Sequence, residues 1–365
     1  MIKVCAEAVP GESRRWLEHY QGKKPLFACV LSFTETALLP NISAAGQTSQ
    51  DRLATAATDG SYLLKGTPLV SLSSGVSPAV ITRAILRGQT IHCQLVSTGL
   101  PTALSVPHLS LPRTLAKSVQ TGQAMSIAEV SQLFYSAQAL GHQLARQLAN
   151  HCQDSYLIVG ECVVGGTTTA QAILTGLGYA VAGQMSSSWR GGNHLQKQAL
   201  IKRGLAEWKA RWPQPQQASA LGLVAAIGDP MQIAAAGIAL SASQSGGVLL
   251  AGGSQMLAVY ALCQALAREE CIGWQPEQVL VGTTRWVIED SSADTVAIAR
   301  QIGAAYLASE ITFAQSPYMQ LQAYERGFVK EGVGAGGCAI AAHLYKKWTR
   351  SQIRHAVEAQ LRQSI

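Results

Sequence analysis

Two glycine-rich segments, far apart in the chain, combine turn residues with side chains that could do chemistry. The first runs from Ser155 to Gly178 and reads SYLIVGECVVGGTTTAQAILTGLG. Its order is an apolar strand, a glycine turn, a cluster of threonine hydroxyls and a helix. Backbone N–H groups at such a turn, together with the positive end of the helix dipole, favour a bound anion such as a phosphate. No lysine follows the glycines and their spacing is not GxGxxG, which excludes a Walker loop and a Rossmann fingerprint.

The same segment has a purely structural interpretation. Gly165 and Gly166 can form a tight turn, and Thr167 or Thr168 can cap the following helix. A second glycine-rich segment near the end of the chain favours the functional interpretation. It reads KEGVGAGG from Lys330 to Gly337 and precedes a predicted helix over Cys338 to Trp348. Glu331 lies just before that helix, where a carboxylate either complements the helix dipole or acts as a general base in a water-poor cleft.

Three motifs resemble those of nicotinate-nucleotide:dimethylbenzimidazole phosphoribosyltransferases. GECVVGGTTTA is similar to that family's phosphate loop, whose pattern is close to GE-x-x-x-G-N-T-T, and KEGVGAG is similar to the late GEG-x-G segment that holds its catalytic glutamate. GDPMQIAAAG, from Gly228 to Gly237, resembles the family's GGFEIAA-x-AG segment. The motifs occur in the family's order. The stretch SFTETALLPNISAAG, from Ser32 to Gly46, resembles a hallmark of a divergent branch in cyanobacteria and archaea that is often left uncharacterised.

The resemblance implies an enzyme that transfers phosphoribosyl from nicotinate mononucleotide to dimethylbenzimidazole or a related lower-ligand base. Nicotinate would be released, and the α-ribazole phosphate-type product would serve assembly of the nucleotide loop of cobamides. Glu331 would be the catalytic base, and Glu35 and Asn41 are assigned to the acceptor pocket. The predicted phosphate and nucleotide contacts are Glu161, Gly165, Gly166, Thr167, Thr168, Thr169, Ser187, Lys197, Gly332 and Gly334. The resemblance also implies a homodimer, and we expect neither a metal nor a cofactor.

The departures from the family pattern leave the acceptor open. Gly166 replaces the usual asparagine of the phosphate loop, and the usual KPPGSLG-like segment is absent. Phe33-Thr34-Glu35 replaces the early DHG turn, in the region that shapes the acceptor-base pocket. The alternatives are therefore the same reaction with adenine or another acceptor, or a non-catalytic nucleotide-binding or assembly protein.

Alternating strands and helices must position these motifs. Short apolar runs predict strands at residues 26–31, 69–72, 92–96, 156–159, 248–251 and 278–282, and helical spacing predicts helices between them, with a further helix over 294–309. This alternation predicts an α/β fold with a mostly parallel, doubly wound, Rossmann-like sheet. We expect one phosphoribosyltransferase-like domain over residues 1–365, with residues 1–20 and 340–365 forming a small helical lobe or a dimer contact.

Composition narrows the functional classes. Hydrophobic residues make up 48% and charged residues 13%, with 34 glycines, which favours a compact α/β enzyme over a disordered chain. The net charge of +7 is spread along the chain without an aromatic-basic platform, so no nucleic acid partner is expected. The eight cysteines contain no CxxC pair and indicate free thiols in a reducing compartment. Since no signal peptide or unbroken membrane span is visible, we expect a cytoplasmic protein acting on small molecules.

Overall fold

A computed structural model describes residues 1–151, 154–211 and 219–363, and in them one sheet of eight strands organises the chain. The strand order is β1-β8-β7-β6-β5-β2-β3-β4; β1 is antiparallel to β8, and every other neighbouring pair is parallel. The strands are β1 (Ile2–Ala6), β2 (Leu26–Leu31), β3 (His92–Ser97), β4 (Leu109–Ser110), β5 (Tyr156–Cys162), β6 (Gly247–Ala251), β7 (Val279–Thr284) and β8 (Tyr306–Ser309).

Helices cover both faces of this sheet. The described helices are α1 (Glu12–Tyr20), α2 (Ser49–Lys65), α3 (Ala79–Gly88), α4 (Ile127–His151), α5 (Gly166–Gly176), α6 (His194–Arg211), α7 (Ala220–Ile227), α8 (Pro230–Ser243), α9 (Ser254–Glu269), α10 (Arg285–Ile288), α11 (Thr295–Ile302), α12 (Met319–Glu325), α13 (Ala335–Lys346) and α14 (Arg350–Arg362). One apolar core contains side chains of α4, α5, α7, α8 and α9, and the other contains those of α2, α3, α13 and α14. The predicted doubly wound α/β fold is therefore confirmed.

The central strands read as unbroken apolar runs because both of their faces are covered. All residues of β2, β5, β6, β7 and β8 are buried. Parallel strands between two helix layers favour β-branched and aliphatic residues at every position, without the alternation of a half-exposed strand. This is the pattern from which the strands at residues 26–31, 156–159 and 248–251 were predictable.

The sheet reverses its direction of growth between β2 and β5. The strand after β2 pairs on one side of it, whereas β5 pairs on its other side and β6, β7 and β8 follow outward. At such a switch point the loops after the two strands diverge and leave a crevice at the carboxyl edge of the sheet. The loops concerned are the one that begins at Ser32 and the glycine turn at Gly165, so the fold brings two sequence motifs to one crevice.

Three predicted elements are wrong. Residues 69–72 form no strand: β3 takes the position beside β2, and this segment is only partly buried, with Ser71 exposed. The helix predicted over 294–309 ends at Ile302, where Gly303 takes a left-handed φ of +65°, and β8 follows it. The first residues do not belong to a helical lobe, since Ile2–Ala6 forms the edge strand β1.

The C-terminal helix α14 packs into the apolar core that also contains α2, α3 and α13. Its side chains Ile353, Val357 and Leu361 are buried in the same apolar cluster as α3 and α13. Whether this end of the chain also contacts a second copy stays a prediction. Within the described residues, every helix falls short of the length or the hydrophobicity of a membrane span.

Candidate active site

A cleft opens at the carboxyl edge of the sheet, over the switch point. Its walls come from the phosphate-loop segment, the 186–188 turn, the start of α9, the loop before α13, the helix α2, and the segment between α2 and α3. The predicted site residues that line it are Glu161, Gly165, Gly166, Thr167, Ser187, Glu331 and Gly332. The two glycine-rich segments, which are remote in sequence, therefore share one site.

The phosphate loop owes its shape to its two glycines. Gly165 has a φ of +82°, and a Cβ there would lie 2.9 Å from the Ala37 backbone nitrogen. A Cβ on Gly166 would lie 1.8 Å from Gln255 Oε1. The helix α5 begins at Gly166, so its first backbone N–H groups lie at the cleft with no capping side chain from Gly165. This arrangement can bind an anion through backbone donors and the helix dipole.

The three threonines after the loop do different things. Thr167 lines the cleft, whereas Thr168 is buried and its hydroxyl has no hydrogen-bond partner among the described residues. Thr169 braces the loop from below, with its hydroxyl 3.0 Å from the Gly166 carbonyl oxygen and 2.5 Å from Asp229 Oδ2. Asp229 in turn caps α8, and burial raises the pKa of its carboxyl to about 6. Of the three, Thr167 is therefore the one whose side chain is at the cleft.

Glu331 is held by four donors. Its Oε2 accepts from the Thr283 hydroxyl at 3.0 Å and from the Thr284 N–H at 2.8 Å. Its Oε1 accepts from the N–H groups of Gly332 at 3.0 Å and Gly336 at 3.1 Å, the latter in the first turn of α13. Burial raises the pKa of this carboxyl to about 7, although each of the four donors lowers it. A carboxyl with that pKa in a cleft can exchange a proton near neutral pH.

The loop that carries Glu331 is strained. Val329, Lys330 and Val333 have φ values of +65°, +68° and +53°, in the left-handed region that residues with a side chain rarely adopt. Gly332 and Gly334 also have positive φ. Non-glycine residues keep such conformations only where their surroundings enforce them, and they concentrate at functional sites.

Buried polar contacts enforce this loop conformation. The Lys330 Nζ lies 2.8 Å from Asp290 Oδ2 and donates to the Trp189 carbonyl oxygen at 3.1 Å. The Val333 N–H donates to the Glu161 carbonyl oxygen at 2.9 Å, and the Thr82 hydroxyl donates to the Val333 carbonyl oxygen at 2.8 Å. The Glu331 loop is thus fastened to β5, to α3 and to the turn beside Trp189. Gly334, one of the predicted contacts, packs against Phe27 and begins α13.

Two further carboxyl groups share the cleft with Glu331. Burial, and secondly the charge of Glu331, raise the pKa of Glu161 well above its ordinary value. Burial also raises the pKa of Asp59, on α2, to about 7. Sequence reasoning missed Asp59. The signal was a single acidic residue among small and apolar ones in the run AATDGSYLL, where an aspartate on a buried helix face has no packing role.

Lys197 is a fully buried amine. Burial, and secondly the charge of Lys330, lower its pKa to about 7, against a smaller opposing effect of Asp290. Its Nζ has no hydrogen-bond partner among the described residues, and neither does the buried hydroxyl of Ser187 in the cleft wall. Buried polar groups are normally paired, so the unpaired hydroxyl in the cleft wall suits an anionic ligand. Lys197 is not among the residues that line the cleft, although the charge of Lys330, which lines it, acts on the Lys197 amine.

The two acceptor residues assigned from the sequence lie elsewhere. Glu35 is exposed, because it opens a short 3₁₀ helix whose next two residues, Thr36 and Ala37, are the buried ones. Asn41 is also exposed, and neither residue is among those that line the cleft. The geometry therefore corrects this assignment. Within the described residues, no group of three or more histidine, cysteine, aspartate and glutamate side chains is arranged to hold a metal ion.

Comparison with known proteins agrees with this geometry. A family model described as a phosphoribosyltransferase matches residues 87–273. A UPF0284 protein of Acaryochloris marina is 49% identical over 99% of this chain and 97% of its own length. Another, from Trichodesmium erythraeum, is 47% identical over 98% and 97%. The chain belongs to the phosphoribosyltransferase family and, within it, to the UPF0284 proteins. The family resemblance drawn from the motifs is confirmed, and the protein is a phosphoribosyltransferase.

Solved structures extend the comparison to the fold. CobT from Thermus thermophilus superposes with a TM-score of 0.60 at 15% identity, covering 97% of this chain and 92% of its own. A nicotinate-nucleotide-dimethylbenzimidazole phosphoribosyltransferase from the same organism gives a TM-score of 0.58 at 16% identity, with the same coverage. At these identities the similarity is one of fold alone. It extends over nearly the whole length of this chain.

Proposed function

We propose that this phosphoribosyltransferase transfers the phosphoribosyl group of nicotinate mononucleotide to an aromatic nitrogen base, releasing nicotinate and giving an α-ribazole phosphate-type product for cobamide synthesis. The observation that carries the proposal is the position of Glu331, a carboxyl with a pKa of about 7, in the same cleft as the glycine phosphate loop. The similar fold of the Thermus thermophilus enzyme supports the identity of the donor.

The donor's leaving group explains why the cleft needs a base and no general acid. In nicotinate mononucleotide the nitrogen bonded to the ribose belongs to a cationic pyridinium, so nicotinate departs without being protonated. A bound pyridinium would favour the ionised form of the carboxyl groups of Glu161 and Glu331 in the cleft walls, whose pKa values burial raises.

The acceptor supplies the proton that Glu331 takes. As one ring nitrogen of a benzimidazole or purine attacks the ribose C1, the other must lose its N–H proton, and a positioned carboxylate typically accelerates such a step by about a hundred- to ten-thousand-fold. The four donors to Glu331 occupy its lone pairs in the resting site. Thr283 supplies the single side-chain hydroxyl among them, which can rotate away and free one lone pair for the acceptor N–H.

The phosphate end of the nucleotide would bind on the opposite side of the cleft. The N–H groups at the start of α5 and the hydroxyls of Thr167 and Ser187 are the donors available there. We assign the unpaired Lys197 amine, which does not line the cleft, to the same phosphate. A phosphate would restore the proton of an amine whose pKa burial has lowered to about 7. We assign Glu161 to the ribose hydroxyls or to bracing the loop. The homodimer and the cytoplasmic location stay predictions.

Incubation with nicotinate mononucleotide and a panel of bases tests the proposal. The panel contains dimethylbenzimidazole, benzimidazole, adenine and a phenol. Chromatography measures released nicotinate and the phosphoribosylated base, which the reaction should produce in equal amounts. We expect release that depends on the base. Binding of nicotinate mononucleotide without turnover for any base would instead favour a nucleotide-binding or assembly protein.

A further inference from the structure

Asp59 is a buried carboxylate in the cleft wall that the transfer chemistry leaves unused. Its side chain is 4% exposed, and it lies on the inner face of α2. Its Oδ1 accepts from the Ser77 hydroxyl at 2.8 Å, and its Oδ2 lies 3.8 Å from the Cys162 thiol, a weak donor. None of the ion pairs among the described residues includes it. A carboxylate accepts about four hydrogen bonds, so Asp59 keeps unused accepting capacity in a buried place.

Asp59 lies on the wall of the cleft that α2 forms, across the sheet edge from α5. The helix α5, which begins at the phosphate loop, packs in the core on one face of the sheet, whereas α2 and α3 pack in the core on the other. A ligand with its phosphate at α5 therefore extends across the sheet edge toward α2. The same wall adjoins the Glu331 loop, since a Cβ on Gly332 would lie 3.4 Å from Pro78 Cγ. A base whose N–H meets Glu331 has its far edge directed toward Asp59.

The rest of this wall suits a flat ring. The apolar side chains Val70, Leu72, Val329 and Val333 line the cleft alongside Asp59. A ring that packs against them excludes water from the carboxyl of Asp59. If the far edge of the ring carried only methyl groups, Asp59 would lose water and gain no donor, which is unfavourable for a buried polar group. A ring with an N–H donor at that edge avoids this penalty.

We infer that Asp59 selects the acceptor, and that the acceptor is an aromatic nitrogen base with a hydrogen-bond donor, such as an exocyclic amine, on the edge away from its attacking nitrogen. The inference rests on the proposed transfer reaction and specifies its acceptor class. Sites built to hydrogen-bond a substrate N–H reject the analogue that lacks it far better than apolar pockets reject an extra methyl group. Asp59 is in this account a specificity-determining residue.

The other role open to Asp59 is structural. The Ser77 hydroxyl that donates to Asp59 also accepts from the Ala79 N–H at the start of α3, at 3.2 Å. In that role Asp59 would simply support this turn. A supporting role would make every acceptor bind less well on substitution, by the same factor, whereas a selecting role changes the ranking of acceptors.

Calorimetry on the full chain separates the two, with bases that differ only in one group. The pairs are adenine against purine, and aminobenzimidazoles against methylbenzimidazoles substituted at the same ring carbon. We expect the wild type to bind the amino member at least about tenfold more tightly at one substitution position. In Asp59→Asn the amide oxygen would accept from Ser77 and the amide N–H₂ would face the acceptor, so the preference should vanish or reverse. Ser77→Ala, the matched control, should weaken both members alike and keep the preference.

Two results would overturn the inference: equal wild-type affinity for both members of every pair, or an Asp59→Asn variant that folds, by its melting transition, and keeps the preference. A parallel turnover assay with nicotinate mononucleotide tests the transfer reaction independently of the selection by Asp59. If the amine preference holds but no base releases nicotinate, the transfer reaction is wrong and the selection by Asp59 stands.

Discussion

The backbone N–H of Val333 donates to the carbonyl oxygen of Glu161 at 2.9 Å, and this bond joins the two glycine-rich segments directly. Glu161 lies near the end of the strand that leads into the phosphate loop, and Val333 lies two residues after Glu331. In the proposed reaction, one connected piece of backbone would therefore position both the nucleotide at the start of α5 and the base at Glu331. The strained φ of +53° at Val333 is a further sign that the loop is fixed in place.

The phosphate loop can be tested at Gly165. Alanine there brings a Cβ within 2.9 Å of the Ala37 backbone nitrogen, in addition to the strain of a φ of +82°. We expect Gly165→Ala to weaken nicotinate mononucleotide binding by about tenfold or more, because the turn must shift. Gly178→Ala is the control, since Gly178 has a φ of +95° but a Cβ there meets nothing within 4 Å. If calorimetry gave the two variants equal affinities for nicotinate mononucleotide, the phosphate would not bind at this loop.

Lys197 offers a test that distinguishes phosphate recognition from general binding. Lys197→Met should lower the affinity for nicotinate mononucleotide by roughly tenfold or more, by loss of a charge-assisted contact, and leave the affinity for nicotinate riboside nearly unchanged. Lys202→Met, at an exposed position on the same helix, is the control. If the variant lost the same affinity for the mononucleotide and the riboside, Lys197 would not contact the phosphate.

The Lys197→Met variant also tests how stability depends on pH. The pKa of Lys197 falls from an ordinary 10.5 to about 7 on folding, so the unfolded chain binds its proton first as the pH drops. The wild type without ligand therefore loses stability between about pH 10 and pH 7, and Lys197→Met does not suffer this loss. Melting temperatures across this range should show the variant gaining on the wild type toward pH 7. Parallel curves would contradict the lowered pKa.

Much of the architecture was predictable because buried strands appear in the sequence as runs of apolar residues. Strands β2, β5 and β6 are covered on both faces, so they read as apolar runs, and the glycines at 165 and 166 mark a turn after one of them. β1 was missed because its pairing is with β8, a strand from the far end of the chain, and two of its five residues are exposed. Only the assembled sheet defines that edge.

The candidate site was predictable where the chemistry lies in a local motif and not where packing creates it. Glu331 and the phosphate loop carry their own turn residues, and both line the cleft. Asp59 has no local motif, and it becomes a site residue only because α2 turns it toward Ser77 and Cys162. Glu35 was assigned because it is the single carboxylate of its loop, yet the 3₁₀ turn leaves it exposed.

Thr283 should tune the pH dependence of turnover. Its hydroxyl donates to Glu331 Oε2 at 3.0 Å and so lowers the pKa of a carboxyl that burial has raised to about 7. Since a base must be ionised, kcat/KM, which reports the free enzyme, should fall on the acid side of about pH 7 in the wild type. Thr283→Val removes the donor and keeps the shape, so this limb should move to higher pH, whereas Thr283→Ser should leave it in place. An unchanged limb in Thr283→Val would mean that another group sets it.

The central claim is that Glu331 takes the acceptor's proton. Glu331→Gln keeps the size of the side chain and, with its amide oxygen at the Oε1 position, the bonds from Gly332 and Gly336, but it removes the basicity. The decisive measurement is nicotinate release from nicotinate mononucleotide in the presence of the best acceptor, on a sample whose melting temperature and nucleotide affinity are also measured. The account predicts kcat reduced by at least roughly a hundredfold, with nucleotide affinity near that of the wild type. Turnover within a few-fold of the wild type would reduce Glu331 to a helix-capping carboxylate and contradict the account.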